Sequence, residues 1–199
     1  MAAVPGLRDR KKVATRVRIT EAAMALFLKQ GFEATTVDDI AAAADISRRS
    51  FFNHFASKED VAAAWQDGTV AVLAAEIASR PADEAPIDMA RNALLGLVKR
   101  HDPREAQALA EFSHRTPALK AREAAKYQGL EDALRNALAA RTDRKSDDLE
   151  LRIVAAVAIS LLRIASDYWV APKRRESMIA YGERIFATLR SAVSASRGD

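Results

Sequence analysis

The chain has 199 residues, 49% of them hydrophobic and none of them cysteine, and its formal net charge is +4. A chain of this length and apolar content can bury a sizeable core, and the lack of cysteine excludes disulfides, thiolate metal sites and cysteine nucleophiles. Its most apolar run, residues 153–162, is too short to span a bilayer. We therefore expect a folded cytoplasmic protein with no membrane span.

The composition predicts an all-α fold. Glycine and proline number only 7 and 6, alanine is abundant, and no stretch alternates β-branched with polar residues over the length of a strand. Positive charge is concentrated at the N-terminus, where six basic residues stand against a single Asp9: Arg8, Arg10, Lys11, Lys12, Arg16 and Arg18. A basic arm of this kind is typical of proteins that bind a polyanion, although a solvated tail can have the same composition.

The N-terminal part contains three helices and the start of a fourth. Apolar residues at spacings of three and four predict a first helix over residues 15–30, with Gly31 as its stop. Thr36 is placed to cap a short second helix over residues 37–44, and Ser47 to cap a third that ends near Phe55. Ser57, three residues before Asp60, opens a long fourth helix.

The rest of the chain is also predicted to be helical. The fourth helix runs to about Ser79, and five more are expected over residues 87–100, 104–115, 118–140, 147–170 and 174–195, with prolines marking several of the breaks. We place the domain boundary before the fourth helix. An N-terminal domain then comprises residues 1–56, and a larger helical domain for ligand binding and dimerisation comprises residues 57–199.

The second and third helices, separated by a tight turn, predict a helix-turn-helix whose second helix enters the major groove of DNA. Phe51 and Phe55 point toward the core. The outward face then carries side chains that can contact base edges and phosphates: Arg48, Arg49, Ser50, Asn53 and His54.

The stretch RITEAAMALFLKQGFEATTVDDIAAAADISRRSFFNHFASKEDV resembles the DNA-binding domain of TetR-family regulators. The resemblance implies phosphate contacts by Thr36 and Lys58, in addition to the groove contacts of the third helix. Two positions depart from the family pattern. Asp45 stands where a turn glycine is usual, and Asp tolerates the left-handed conformation moderately well. Phe52 stands where tyrosine is usual, so that tyrosine's phosphate contact is not carried over.

The same resemblance implies a homodimer formed by the last two helices, which are apolar over more of their circumference than a small core requires. Two-fold symmetry would present two recognition helices to a palindromic, double-stranded operator, about 34 to 36 Å apart. The family also implies a repressor that a small hydrophobic effector releases from DNA by tilting the fourth helix.

Candidate effector-binding residues are apolar side chains with a few cationic ones for a polar head. They are Trp65, Leu94, Leu97, Val98, Phe112, Arg115, Tyr127, Arg163, Tyr168 and Trp169, with His101 and His114 as further partners for the head. The segment DDIAAAADISRRSFFNHF is especially similar to regulators of the mycofactocin-regulator type. This similarity favours an acyl-CoA-like ligand.

Two alternatives remain at this point. One is a dimeric DNA-binding protein with no ligand, and the other is an all-helical acyl-thioester hydrolase. The hydrolase is disfavoured because the three histidines are scattered and neither a GxSxG elbow nor a glycine-rich phosphate loop occurs. We therefore predict no enzyme activity, no catalytic residue, no cofactor and no metal ligand.

Overall fold

The computed structural model describes residues 6–100, 103–171 and 176–195, and within these ranges every regular element is an α-helix. This confirms the all-α prediction. In chain order the helices are α1 (Leu7–Gln30), α2 (Val37–Ala43), α3 (Arg48–Phe52), α4 (Lys58–Ala78), α5 (Pro86–Lys99), α6 (Pro103–Arg115), α7 (Pro117–Ala121), α8 (Glu123–Thr142), α9 (Leu149–Trp169) and α10 (Met178–Ala195).

Helix α1 is longer than predicted, because it begins at Leu7 and not at residue 15. The basic arm is therefore a helical extension, in which Arg8, Arg10, Lys11 and Lys12 are exposed. The predicted end is confirmed. Gly31 has a φ of 89°, and its N–H donates to the Phe27 carbonyl, 3.0 Å away.

Two other predicted bounds are wrong. Helix α3 ends at Phe52 rather than near Phe55, because the His54 N–H donates to the Phe51 carbonyl three residues back, at 2.8 Å. The single helix predicted over residues 118–140 is two helices, since the Arg122 N–H likewise turns back to Leu119. The predicted start of the last helix at residue 174 lies outside the described residues.

Two hydrophobic clusters organise the molecule. The N-terminal cluster contains residues of α1, α2, α3 and α4, together with Phe112 of α6 and Leu119 of α7. The C-terminal cluster is built mainly from α4, α5, α8 and α9, and Phe186 of α10 packs into it. Helix α4 contributes to both, with Val61 and Ala62 in the first and Leu73 and Ile77 in the second. A movement of α4 would therefore be transmitted to both clusters.

The C-terminal cluster is a layered helical core. Its fully buried residues include Leu130, Leu134 and Leu138 of α8, at four-residue intervals that form one stripe facing α4 and α9. Within the described ranges, no helix is both long and apolar enough to cross a membrane.

Candidate nucleic-acid interface

The N-terminus of α2 is fixed by a reciprocal pair of hydrogen bonds. The Thr36 backbone N–H and hydroxyl donate to Asp39 Oδ2 at 2.9 and 2.7 Å, and the Asp39 N–H donates to Thr36 Oγ1 at 3.1 Å. These bonds from Thr36 lower the pKa of the Asp39 carboxyl. The predicted cap is thus confirmed, and Thr36 remains exposed beside the free amides of the first turn.

The turn between α2 and α3 is as tight as the sequence predicts. Asp45 has a φ of 51°, which is the left-handed conformation that usually selects glycine at such a position. The Ile46 N–H donates to the Ala41 carbonyl at 3.0 Å, and Ser47 Oγ accepts the Ser50 N–H at 3.1 Å. The direction in which α3 leaves the turn is therefore set locally.

Phe51 fixes the rotation of α3 about its own axis. It is completely buried, and its ring centroid lies 5.5 Å from that of Phe52 and 6.1 Å from that of Phe55. Phe52 is 46% exposed, so the aromatic face of the helix ends at the surface.

Helix α3 carries the two predicted groove arginines, Arg48 and Arg49, and both are exposed. The Arg48 guanidinium lies 5.6 Å from the centroid of the Phe52 ring, on the exposed side of the helix. Arg48 Nη1 lies 2.6 Å from Asp38 Oδ2, in an ion pair whose side chains are each 62% exposed. An ion pair this open to water contributes little to stability and can be exchanged for a phosphate. Arg49 and Asn53 are also exposed and Ser50 is half-buried, so the outward face is cationic and polar.

His54 lies toward α1 and not squarely on this face. Its carbonyl accepts a hydrogen bond from Arg16 Nη1, and its Nδ1 is buried without a hydrogen-bond partner among the described residues. Burial, followed by the charges of Arg16 and Lys12, lowers the pKa of the imidazole. At neutral pH the ring is therefore uncharged, and its contact with the groove remains a prediction.

Lys58 is held by the loop between α1 and α2. Its Nζ lies 2.7 Å from the Phe32 carbonyl, 3.1 Å from that of Thr35 and 3.4 Å from that of Glu33, and 4.4 Å from the Phe32 ring centroid. These three carbonyls match the three protons of an ammonium group. Lys58 thus fastens the start of α4 to the helix-turn-helix, and its phosphate contact remains a prediction.

Two arginines that the sequence assigned to the arm have a different place. Arg16 donates to His54 and its guanidinium lies 4.0 Å from the Phe55 ring centroid, while Arg18 donates to the Ala44 carbonyl at 3.0 Å. Both therefore hold the C-terminal ends of the two short helices. A signal was available for Arg16, because Arg16, Ile19 and Ala23 recur at spacings of three and four.

The predicted effector residues are divided between the two hydrophobic clusters and the surface. Leu94, Leu97 and Tyr127 belong to the C-terminal cluster, whereas Trp65 and Phe112 belong to the N-terminal cluster. Val98 is half-buried, Trp169 is buried, the Tyr168 ring is stacked on Tyr181 with centroids 3.8 Å apart, and Arg115, His114 and Arg163 are exposed. His101 lies outside the described residues.

Comparison with known proteins identifies both parts of the chain. Residues 19–65 match the family described as bacterial regulatory proteins, tetR family, and residues 84–194 match the MftR C-terminal domain. The regulator TcmR of Streptomyces glaucescens is 34% identical over 174 residues, which cover 83% of this chain and 77% of TcmR.

Two further relatives extend over most of the chain. MftR of Mycobacterium tuberculosis, described as a mycofactocin biosynthesis transcriptional regulator, is 29% identical and covers 81% of this chain and 82% of its own length. The structure of the TetR-family repressor FadR of Thermus thermophilus, in complex with lauroyl-CoA, has a TM-score of 0.61 and 26% identity. It covers 87% of this chain and 92% of FadR.

These matches define the class of the protein. It is a transcriptional regulator with an N-terminal helix-turn-helix and a C-terminal helical domain. More particularly, the chain belongs to the TetR family and carries a C-terminal domain of the MftR type. The resemblance inferred from the DNA-binding segment is thereby confirmed, and the similarity to mycofactocin-type regulators extends into the domain where effectors bind.

Proposed function

We propose that this regulator is a cytoplasmic, homodimeric repressor without catalytic activity, which binds a palindromic operator and is released by an acyl-CoA-like effector. The observation that carries the DNA-binding part is the exposed pair Arg48 and Arg49 on a helix whose rotation is fixed by Phe51. Arginine is the side chain that most often reads guanine in the major groove.

The proposed operator contacts divide into two groups. Arg48, Arg49, Ser50 and Asn53 would contact base edges or flanking phosphates, with His54 at the margin of the groove. Thr36 lies at the N-terminus of α2, where free amides favour a phosphate. Lys58 would join them only by giving up one of its carbonyl contacts, so we expect its contribution to binding to be small.

The proposed dimer interface lies on α9 and α10. Leu149, Ile153 and Ile164 are 68%, 54% and 49% exposed, and their spacings of four and eleven residues place them on one face of α9. Val193 of α10 is 57% exposed. A second copy of the chain, packed by two-fold symmetry as a four-helix arrangement, would remove these side chains from water.

The proposed effector rests on the relatives. FadR is described in complex with lauroyl-CoA, and the C-terminal match is to the MftR domain. Leu94, Leu97 and Tyr127 are the predicted ligand residues that share the C-terminal cluster. They are packed against neighbours, so a bound acyl chain would have to separate α5 from α8.

A separation of α5 from α8 could be transmitted to the DNA-binding helices through α6. Phe112 of α6 stacks on Phe27 of α1 with ring centroids 5.4 Å apart and lies 5.9 Å from Phe32. Helix α6 contacts both α5 and α1. We therefore propose that effector binding shifts α6 together with α4 and changes the separation of the two α3 helices.

The DNA-binding proposal is tested by selecting binding sites from random duplexes with the full chain. We expect an inverted repeat. Arg49→Gln should then weaken binding. If Arg49 contacts a phosphate, the salt slope should also fall by about one, and if it contacts a base edge, the preference at one position of the repeat should relax. Lys145→Gln removes one charge from the loop after α8 and should leave the affinity, the salt slope and the preference unchanged. Recovery of no inverted repeat would refute the proposal.

The effector is tested by adding lauroyl-CoA to the complex with the selected operator. Release of DNA together with a rise in Tm supports the proposal. DNA binding that no acyl-CoA alters would favour the ligand-independent alternative, and hydrolysis of the thioester by purified protein would favour the enzyme.

A further inference from the structure

A cavity of about 270 Å³ lies where the DNA-binding helices meet the C-terminal domain. Its walls come from α1, the turn between α3 and α4, the first turns of α4 and the start of α8: Arg16, His54, Phe55, Ala56, Asp60, Ala63, Ala64 and Arg122. None of the predicted effector residues is among them. The volume lies just below the usual range for small-molecule sites, which suits a small ligand.

The lining is predominantly cationic. Arg16 and Arg122 outweigh the single carboxylate of Asp60. Burial, followed by the charges of Arg16 and Lys12, lowers the pKa of His54. The charged side chains that line the cavity are thus two cations and one anion. This excess of positive charge favours a negatively charged occupant.

The two guanidinium groups also have donors to spare. Arg16 donates one side-chain hydrogen bond, to the His54 carbonyl, and its guanidinium carbon lies 4.0 Å from the centroid of the Phe55 ring. These two contacts hold the Arg16 side chain beside the cavity. Within the described part of the chain, Arg122 forms no side-chain hydrogen bond or ion pair. A guanidinium carries five N–H donors, in a fork that matches the oxygens of a carboxylate or phosphate.

We propose that this cavity binds a small oxyanion, a phosphate or carboxylate group, between Arg16 and Arg122. Such a ligand would connect α1 directly to α8 and so constrain the DNA-binding helices relative to the C-terminal domain. This contact lies at the junction of the two parts of the chain, at a different place from the apolar chain that we propose to enter between α5 and α8.

The test is calorimetric titration of the full chain with sodium phosphate, against sodium chloride at matched ionic strength. We expect saturable phosphate binding that Arg122→Gln weakens about tenfold or more, the loss of a charge-assisted hydrogen bond. Lys145→Gln removes the same charge at the opposite end of α8 and should bind phosphate like the unaltered protein. Arg122 is exposed and has no side-chain partner among the described residues, so its replacement should leave the Tm of the ligand-free protein unchanged.

A parallel titration with coenzyme A distinguishes the two sources of the oxyanion. Binding of inorganic phosphate that depends on Arg122 identifies a site for a free anion, and Arg122-dependent binding of coenzyme A alone identifies a phosphate of a larger ligand. Saturable binding of neither probe, or equal binding by all three proteins, would overturn the proposal. Operator selection does not depend on this result, so failure here leaves the proposed DNA recognition standing.

Discussion

The DNA-binding helices and the C-terminal bundle each pack around a hydrophobic cluster, but they differ in what fixes the individual helices. The short helices α2 and α3 depend on polar contacts that end or orient them: Thr36 and Ser47 at their starts, Arg18 and Arg16 at their ends. The bundle depends on stripes of fully buried aliphatic residues such as Leu130, Leu134 and Leu138. The orientation of α2 and α3 is therefore sensitive to the loss of a single contact. The bundle is less sensitive, because its stability is shared among many apolar contacts.

The two regions are therefore expected to differ in how they can move. An aliphatic stripe tolerates sliding and repacking, and a hydrophobic chain could enter it by separating two helices. Helix α3 has five residues and cannot slide or repack in this way. Its direction is set by the Ser47 cap, the left-handed Asp45 and the buried Phe51 ring. We expect the bundle to deform on binding and the helix-turn-helix to move as a unit.

The largest effect is expected for Phe51→Ala. Removal of a completely buried ring from so short a helix should lower the free energy of unfolding by about 3 to 5 kcal/mol. Urea denaturation measures this loss. Phe52→Ala, at a ring that is 46% exposed, is the matched control and should cost far less. Equal losses would contradict the anchoring role of Phe51.

The next effect is expected where the two regions meet. Phe112→Ala removes a ring that contacts Phe27 and Phe32, and should cost about 3 kcal/mol. It should also reduce the effect of lauroyl-CoA on DNA binding, since the proposed path runs through this ring. Phe112→Leu keeps most of the volume and should retain more of both. A variant that loses stability but keeps full release by effector would show that coupling runs elsewhere.

A smaller effect is expected for Lys58→Met, which keeps the aliphatic stem and removes the ammonium. Three carbonyls of the α1–α2 loop then lose their shared donor, and the free energy of unfolding should fall by about 1 to 2 kcal/mol. Lys145→Met is the surface control. An unchanged stability with a salt slope lowered by about one would instead assign Lys58 to a phosphate.

The smallest effect concerns His54 and pH. Its pKa is lowered below the ordinary 6.5, so the unfolded chain takes up the proton more readily than the folded one. The associated stability is present above about pH 6.5 and is lost as the pH falls through the lowered pKa. His54→Gln should therefore show a shallower loss of stability than the unaltered protein between about pH 7 and pH 5. Parallel curves would indicate that the imidazole is not perturbed.

Local features of the fold could be predicted from the sequence because their causes lie within a few residues. The caps at Thr36, Ser47 and Ser57, the stop at Gly31 and the left-handed Asp45 are all confirmed. Each depends on one side chain or one backbone conformation. The position of the recognition helix followed from them, together with the buried Phe51.

Features that depend on distant parts of the chain could not be predicted. Arg16 has its carbonyl partner 38 residues away, and Lys58 has partners 23 to 26 residues away, so neither role is visible in a local pattern. Phe112 was predicted to contact the effector, but it packs into the N-terminal cluster. The sequence does not show which of the two hydrophobic clusters an aromatic residue of α6 joins. The cavity beside Arg122 depends on the break between α7 and α8. The sequence did not indicate this break, because the apolar pattern predicted one continuous helix over residues 118–140.

The place of Phe112 has a consequence for chimeric regulators. A DNA-binding module cut from this chain at residue 65, where the match to the N-terminal family ends, would leave behind a ring that covers Phe27 and Phe32. When this module is fused to a foreign effector domain, Phe27 and Phe32 would be exposed to water, and the hybrid would be prone to aggregation. An exchange that transplants α6 and α7 along with the first four helices would keep Phe112 packed against Phe27 and Phe32 and should keep the hybrid soluble.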